Sequence, residues 1–370
     1  MLVYAGIDEA GYGPAFGPLT VGRAVLCVPK LGPEAELPDL WARLNRAVCR
    51  TLSERRAAGR GGGQVVVNDS KKLTTKAAGI THLEMGCLAF ASLAGFEVEG
   101  ADVASWLDWL GERSHREVGS GGGLPWYAVG PPEAEARRSG AEGEFPGALP
   151  GALPGALPGA LPGAADAGEL AIARGQLRRT CQRIGVEVGD LGTAVVFEDR
   201  FNRMVAATRS KAAVSFTSVA GHLRHVWERY GEHAPTVVVD RQSGRTRYRD
   251  PLAMNFEGCE VSVLEEGPAR SAYRIEGPGG ISGGTPGGAA MTVRFETAAE
   301  SKHLPVALAS MLAKYARELL MARFKAYFAR RLPDVAPTAG YGQDAKRFWA
   351  EVRPRLADLG LDPEALRRRA

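Results

Sequence analysis

Disulfide chemistry and cysteine-based metal binding are the first functions the sequence argues against. Its 370 residues hold five cysteines, Cys27, Cys49, Cys87, Cys181 and Cys259, an odd and scattered set without a C-x-x-C pair. That spacing excludes a disulfide scaffold and the usual zinc or redox motifs, and implies reduced core thiols in a cytoplasmic protein. Histidine is scarce too, and His222 with His225 at i, i+3 spacing lacks the further ligands a metal would require. No apolar run reaches the roughly 20 residues that cross a bilayer. The longest, Leu83 to Phe96, falls short, and Asp8 and Glu9 interrupt the N-terminal run a secretory leader would need. A net charge of +4 suits a polyanionic partner without demonstrating one. With 45% hydrophobic residues the chain can bury one large core or two ordinary ones, and a soluble monomer without a membrane partner is expected.

What is present is an α/β pattern. Leu2 to Ile7 reads as a buried strand, Gly11, Gly13 and Gly17 open a loop, and Leu19 to Val28 resumes strand character. Leu40, Leu44, Val48 and Leu52 have helical spacing within Leu40 to Arg56, and a short strand, Gln64 to Val67, follows. Between Pro146 and Gly163 the sequence repeats Pro-Gly-Ala-Leu; a proline in every fourth position stops both helix and sheet, so residues 120–167 are expected to be a disordered insertion. Helical segments are expected from Glu169 to Arg183 and from Asn202 to Arg229, with strands at Thr193 to Phe197 and Val237 to Asp240. Cys259 to Leu264, Ala272 to Glu276 and Met291 to Phe295 read as antiparallel strands, with Gly277 to Gly288 as an added hairpin tip. Leu304 to Arg330 is the clearest helix, with Leu308, Leu312, Tyr315 and Leu319 on one stripe, and a short helix follows Gln343.

Asp8 and Glu9 are adjacent at a strand end, where side chains alternate, so both cannot enter an apolar core unpartnered. Taken alone, they are better explained as solvated loop residues. Two-metal phosphodiester hydrolysis would use three or four such carboxylates converging on ions about 3.5–4 Å apart. The hard cations Mg2+ or Mn2+ suit oxygen ligands of this kind.

The run Gly6-Ile7-Asp8-Glu9-Ala10-Gly11-Tyr12-Gly13-Pro14 with Gly17-Pro18 closely resembles the first motif of the ribonuclease HII family. Further blocks follow in that family's order. Asn68-Asp69-Ser70-Lys71-Lys72-Leu73-Thr74 resembles its second signature, and Val238-Val239-Asp240 the strand bearing its third carboxylate. Glu300, ten residues before Ser310 in Ala309-Ser310-Met311-Leu312-Ala313-Lys314, stands at the spacing of the fourth, and Gly340-Tyr341-Gly342 resembles the late tyrosine motif. The resemblance implies a ribonuclease H-like fold, a central mixed sheet flanked by helices, in a catalytic domain over residues 1–335 with a helical extension at 336–370. It implies cleavage of RNA paired with DNA, or of ribonucleotides embedded in duplex DNA, leaving 5'-phosphate and 3'-hydroxyl ends.

On the same resemblance Asp8, Glu9, Asp240 and Glu300 hold the metals, and Gly11, Tyr12 and Gly13 lie near the ribose 2'-hydroxyl that separates RNA from DNA. Tyr341 packs against the sugar, and Lys71, Lys72, Ser310 and Lys314 meet phosphates. Three positions depart from the pattern. Tyr12 replaces arginine, Arg241 replaces the glycine after the third carboxylate, and Glu300 replaces aspartate, as in the related ribonuclease HIII, which Phe16-Gly17-Pro18-Leu19 also resembles. Glu296 is the fallback fourth carboxylate, and preference for isolated ribonucleotides or long hybrids stays open. Arg245, Arg247 and Arg249 fit a nucleic-acid footprint or a solvated loop equally. The rival reading is a catalytically silent nucleic-acid-binding relative, against which four candidate carboxylates argue, since a pure binder gains nothing from negative charge beside phosphates.

Overall fold

The computed structural model describes residues 1–57, 59, 63–74, 78–112, 124–127, 159–241, 244–278, 281–282, 285–286 and 288–369. Seven strands form one mixed sheet: β1 (Leu2–Ala10), β2 (Leu19–Val28), β3 (Glu187–Val196), β4 (Thr236–Asp240), β5 (Glu260–Glu266), β6 (Arg270–Glu276) and β7 (Ala290–Glu296). Their order across the sheet is β3-β2-β1-β4-β7-β6-β5. β1, β4 and β7 run parallel, and the outer pairings on either side are antiparallel. This is the mixed sheet flanked by helices that the resemblance implies.

The main helices are α1 (Thr81–Leu93), α2 (Val103–Glu112), α3 (Ala167–Ile184), α4 (Glu198–Thr208), α5 (Lys211–Tyr230), α6 (Leu304–Arg331) and α7 (Gly342–Val352). Alternation along β1 divides its side chains between two cores. Leu2 and Tyr4 join the larger one with α1, α3, α6 and α7, whereas Val3, Ala5 and Ile7 join the smaller one under α5. Glycine lets α6 lie directly on the sheet. A Cβ on Gly6 would stand 2.2 Å from Val306 N, and one on Gly22 2.1 Å from the Ala309 carbonyl oxygen.

Several expected elements differ in extent. The helical spacing of Leu40 to Arg56 is broken into helices Leu40–Arg43 and Leu52–Ala57, because Val48–Cys49 between them pairs in parallel with Val65–Val66. The single helix expected over Asn202 to Arg229 is two. Arg209 has φ 54°, and the Ser210 side chain caps α5 by accepting from Ala213 N at 3.2 Å. β6 and β7 are joined as expected through a hairpin tip, where Ile281–Ser282 pairs with Thr285–Pro286.

The expected disordered insertion is too wide at both ends. Leu124, Trp126 and Tyr127 are buried, as is Leu161, and the Glu84 carboxylate accepts from the amides of Gly163, Ala164 and Ala165. Most of the Pro-Gly-Ala-Leu repeat lies outside the described residues. The boundary at residue 335 does not divide two cores either, since Phe348, Leu356 and Leu366 are buried in the larger core. No helix among the described residues is long and apolar enough to cross a membrane.

Candidate active site

The parallel pairing of β1 with β4 brings two of the carboxylates together. Gly6 pairs with Val238 and Ile7 with Val239, so the next step of the register sets Asp8 beside Asp240. Both fall on the α6 face by alternation, and Glu9 falls on the α5 face, where its carboxylate accepts from Ser215 Oγ at 3.4 Å. Burial, then the Asp240 carboxylate, pushes the Asp8 carboxyl well above the ordinary range, against a hydrogen bond from Ser310. Asp240 is pushed up to about 7, chiefly by burial and further by Glu300 and Glu9, although Ala299 N–H donates to it at 2.8 Å.

Glu300 reaches this cluster from a one-turn helix, Ala299–Ser301, entered through Ala298 at φ 50°. Its Oε2 is buried and has no hydrogen-bond partner among the described residues. Glu296, although in register with Asp240, is committed elsewhere. His303 Nε2 lies 3.2 Å and Lys302 Nζ 3.9 Å from its carboxylate, and the His303 hydrogen bond holds it below the usual range. Glu300 is the one of the two whose charge bears on Asp240. Crowded carboxyls with raised proton affinity and an orphaned buried oxygen fit a hard dication such as Mg2+ or Mn2+. Among the described residues no group of three or more His, Cys, Asp and Glu side chains is arranged so that it could hold a metal ion as it stands.

The glycine loop after β1 is held from behind. Gly11 has φ 83°, and a Cβ there would stand 2.5 Å from Arg317 Nε and 2.6 Å from the Pro18 carbonyl oxygen, so only glycine fits. The buried Arg317 guanidinium donates to the carbonyls of Phe16 (3.1 Å) and Pro18 (3.3 Å). Arg368, also buried, donates to those of Gly11 and Tyr12 (2.7 Å) and stacks on Phe201 at 3.9 Å. The buried Glu198 carboxylate accepts from Gly17 N (3.0 Å) and Tyr127 OH (2.8 Å). Gly13 is exposed, and Tyr12 packs its ring against Leu19, Val196, Phe201 and Val214. Tyr341 joins this loop. Gly340 accepts from Ala15 N at 2.8 Å, and the exposed Tyr341 ring lies 5.4 Å from the Arg317 guanidinium.

Lys71 and Lys72 are exposed on helix Ser70–Leu73, whose end is tied to α6 by the hydrogen bond between Ser70 and Ser310 at 3.1 Å. Ser310 and Lys314 are not presented as expected for phosphate contact. Ser310 is buried against Ser70 and Asp8, and Lys314 is paired with Glu318 at 2.6 Å, one helical turn on. Arg241 turns away from Asp240, donating to the Gly267 carbonyl and Ser271 Oγ at 2.9 Å each. Arg247 and Arg249 approach Glu266 and Asp250, while Arg245 stands over Phe216 and Tyr248. His222 is structural: its Nε2–H donates to Val21 O and its Nδ1 accepts from Arg23, both at 2.8 Å. His225 meets Asp190, which also pairs with Arg23.

Arg317, Arg368, Glu198 and Tyr127 were not expected at this site. Arg317 carried one legible signal, a charge on a helix whose expected stripe is apolar; Arg368 sits in a basic tail with no pattern at all.

Fold and site together define a mixed α/β protein with acidic side chains gathered at the ends of adjacent parallel strands and a buttressed glycine loop beside them. Among solved structures the chain is similar to one of the PCNA:RNase HII complex from Archaeoglobus fulgidus, at 16% identity over 100% of this chain and 95% of that one, with a TM-score of 0.41. It is also similar to ribonuclease H2 from Pyrococcus horikoshii OT3, at 14% identity over 99% of this chain and 92% of that one, with a TM-score of 0.37. No protein-family model and no curated protein matches the chain.

Proposed function

We propose that the protein is a metal-dependent endoribonuclease that hydrolyses the RNA strand of RNA/DNA hybrids, or ribonucleotides embedded in duplex DNA, leaving 5'-phosphate and 3'-hydroxyl ends. The observation that carries this reading is the side-by-side placement of Asp8 and Asp240, with Glu300 near enough to raise Asp240 and Glu9 at the same strand end. Such a cluster raises its own electrostatic cost, which bound cations relieve.

Asp8, Glu9, Asp240 and Glu300 would hold Mg2+ or Mn2+, which when bound activate water and steady the leaving oxygen. Glu9 N–H orients Asp8, donating to its Oδ1 at 2.7 Å, and Ala299 N–H orients Asp240. The Gly11 to Gly13 backbone, kept in place by Arg317 and Arg368, is the surface offered to the ribose 2'-hydroxyl, with Tyr341 beside it. Lys71 and Lys72 are exposed for phosphates. The protein acts as a monomer in the cytoplasm under this reading.

The test offers labelled duplexes with one, four or many ribonucleotides, with Mg2+ or Mn2+. Cutting at ribonucleotides is expected, and Asp8→Asn or Asp240→Asn should lower it by on the order of a hundredfold or more. Binding without cutting under either metal would replace this reading with the silent nucleic-acid binder.

A further inference from the structure

The C-terminal segment holds an arginine-lined cleft that the carboxylate site does not use. Its volume is about 550 Å³, and Trp349, Arg353, Arg367 and Arg369 line it together with Asp362 and Glu364. Three of the six arginines of this segment are paired with carboxylates. Arg347 pairs with Asp344 (2.8 Å) and Glu351 (3.0 Å), Arg355 with Asp334 (2.5 Å), and Arg369 with Glu364 (2.6 Å). Arg353 and Arg367 differ. Their guanidinium groups stand 6.0 and 5.3 Å from the Trp349 ring, and neither has a carboxylate or carbonyl partner among the described residues. Asp362 is occupied as a helix cap, accepting from Glu364 N at 2.9 Å. Counting Asp362 and Glu364 against Arg353, Arg367, Arg368 and Arg369, the lining stays net positive, and two planar, five-donor guanidinium groups without a direct partner on one indole suit an anion with several acceptor oxygens.

Position narrows the anion. Trp349 contacts Phe16 of the glycine loop at 6.1 Å between ring centroids, and Arg368 N–H donates to the Ala15 carbonyl at 2.8 Å. Tyr341 caps the helix that carries Trp349, on the order of 12 Å away along the axis. At about 3.4 Å per nucleotide that spans three or four nucleotides of one strand. We propose that Arg353 and Arg367, on the Trp349 platform, bind the phosphodiester backbone of a nucleic-acid duplex flanking the glycine loop. This rests on the nuclease reading for the identity of the duplex.

The test measures binding of a ribonucleotide-free DNA duplex and of an RNA/DNA hybrid by fluorescence anisotropy across a salt series, with the full chain and with Arg353→Gln/Arg367→Gln. The double variant should bind both duplexes roughly tenfold more weakly at low salt. Its log affinity against log salt should be shallower by about 1.8, or 0.9 for each phosphate lost. Arg353→Lys/Arg367→Lys should keep the wild-type slope, which separates lost charge from lost structure. Unchanged affinity and slope in the glutamine variant would overturn the cleft assignment while leaving the nuclease reading intact. Weakened binding in a protein that cuts no RNA would support the cleft and remove the nuclease reading. Failure of the wild-type chain to bind either duplex would overturn the cleft as well.

Discussion

Glu198 and Asp240 are both carboxyls pushed up to about 7, but their surroundings differ and so do the tests they allow. Glu198 owes its shift chiefly to burial, and it faces amide and phenol donors rather than other acids. Its folded value lies above the unfolded value of about 4.3, so the native state binds the proton more tightly. The stability it contributes is fully present below about pH 4 and is lost as pH rises through about 7. Glu198→Gln removes that dependence. The melting difference, wild type minus variant, should therefore fall between pH 5 and pH 8, by up to about 3 kcal/mol. A constant difference measured by calorimetry would refute it. Asp240 shares its shift with Glu300 and Glu9, and there the test is the cation. Mg2+ at about ten times its dissociation constant should add about 1.4 kcal/mol to wild-type stability, and far less to Asp8→Asn/Asp240→Asn. Equal stabilisation of both proteins would place the ion elsewhere. Asp8, Glu9 and Asp240 were legible because they end strand-like apolar runs within blocks that follow the order of a known family, and Glu300 by its spacing before Ser310, whereas Glu198 stood in no such block. Arg368 was not, because its acceptors are backbone carbonyls more than 350 positions away.

At the scale of elements, β1 and β2 were legible because burial on both faces makes their apolar runs long and continuous, and α6 because its apolar residues recur at helical spacing over many turns. The broken helix at Leu40 to Arg56 was not. Its i, i+4 leucines do mark buried positions, but the pairing of Val48 and Cys49 with Val65 and Val66 depends on residues that helical periodicity cannot register. The close approach of α6 to the sheet was also invisible in the sequence, since a strand glycine carries no sign of what lies above it. It gives a paired expectation. Gly22→Ala places a methyl 2.1 Å from the Ala309 carbonyl oxygen, where the helix backbone must retreat, and should cost about 3 kcal/mol in urea denaturation. Gly221→Ala on α5 meets nothing within 4 Å and should instead stabilise by about 0.5–1 kcal/mol. Equal effects at the two positions would mean that α6 does not lie on β2 as closely as described.

For the whole molecule, the tail closes the structure onto its beginning. Asn202 of α4 donates to the carbonyls of Glu364 (2.6 Å) and Arg367 (2.8 Å) and accepts from Arg369 N (2.6 Å), which fixes the chain so that Arg368 enters the glycine loop. Burial lowers the Arg368 guanidinium to about 10, so its charge is retained at neutral pH. An isolated buried guanidinium would be costly; here it is held by carbonyl oxygens and by its neighbour Glu198. Ending the chain before Pro363 removes Leu366 from the larger core and leaves the carbonyls of Gly11, Tyr12 and Ala15 without their donors. At about 1 kcal/mol for each hydrogen bond lost, and about 2 kcal/mol for the burial of Leu366, the loss should be about 3 kcal/mol or greater. Because the lost contacts gather on one loop, the amides of Gly11 to Gly17 should exchange with deuterium much faster than those of β2. Arg368→Ala alone should reproduce the loop exchange with a smaller fall in melting temperature. If exchange in the loop is as slow without the tail as with it, the loop is held by Arg317 and Glu198, and the tail does not position it.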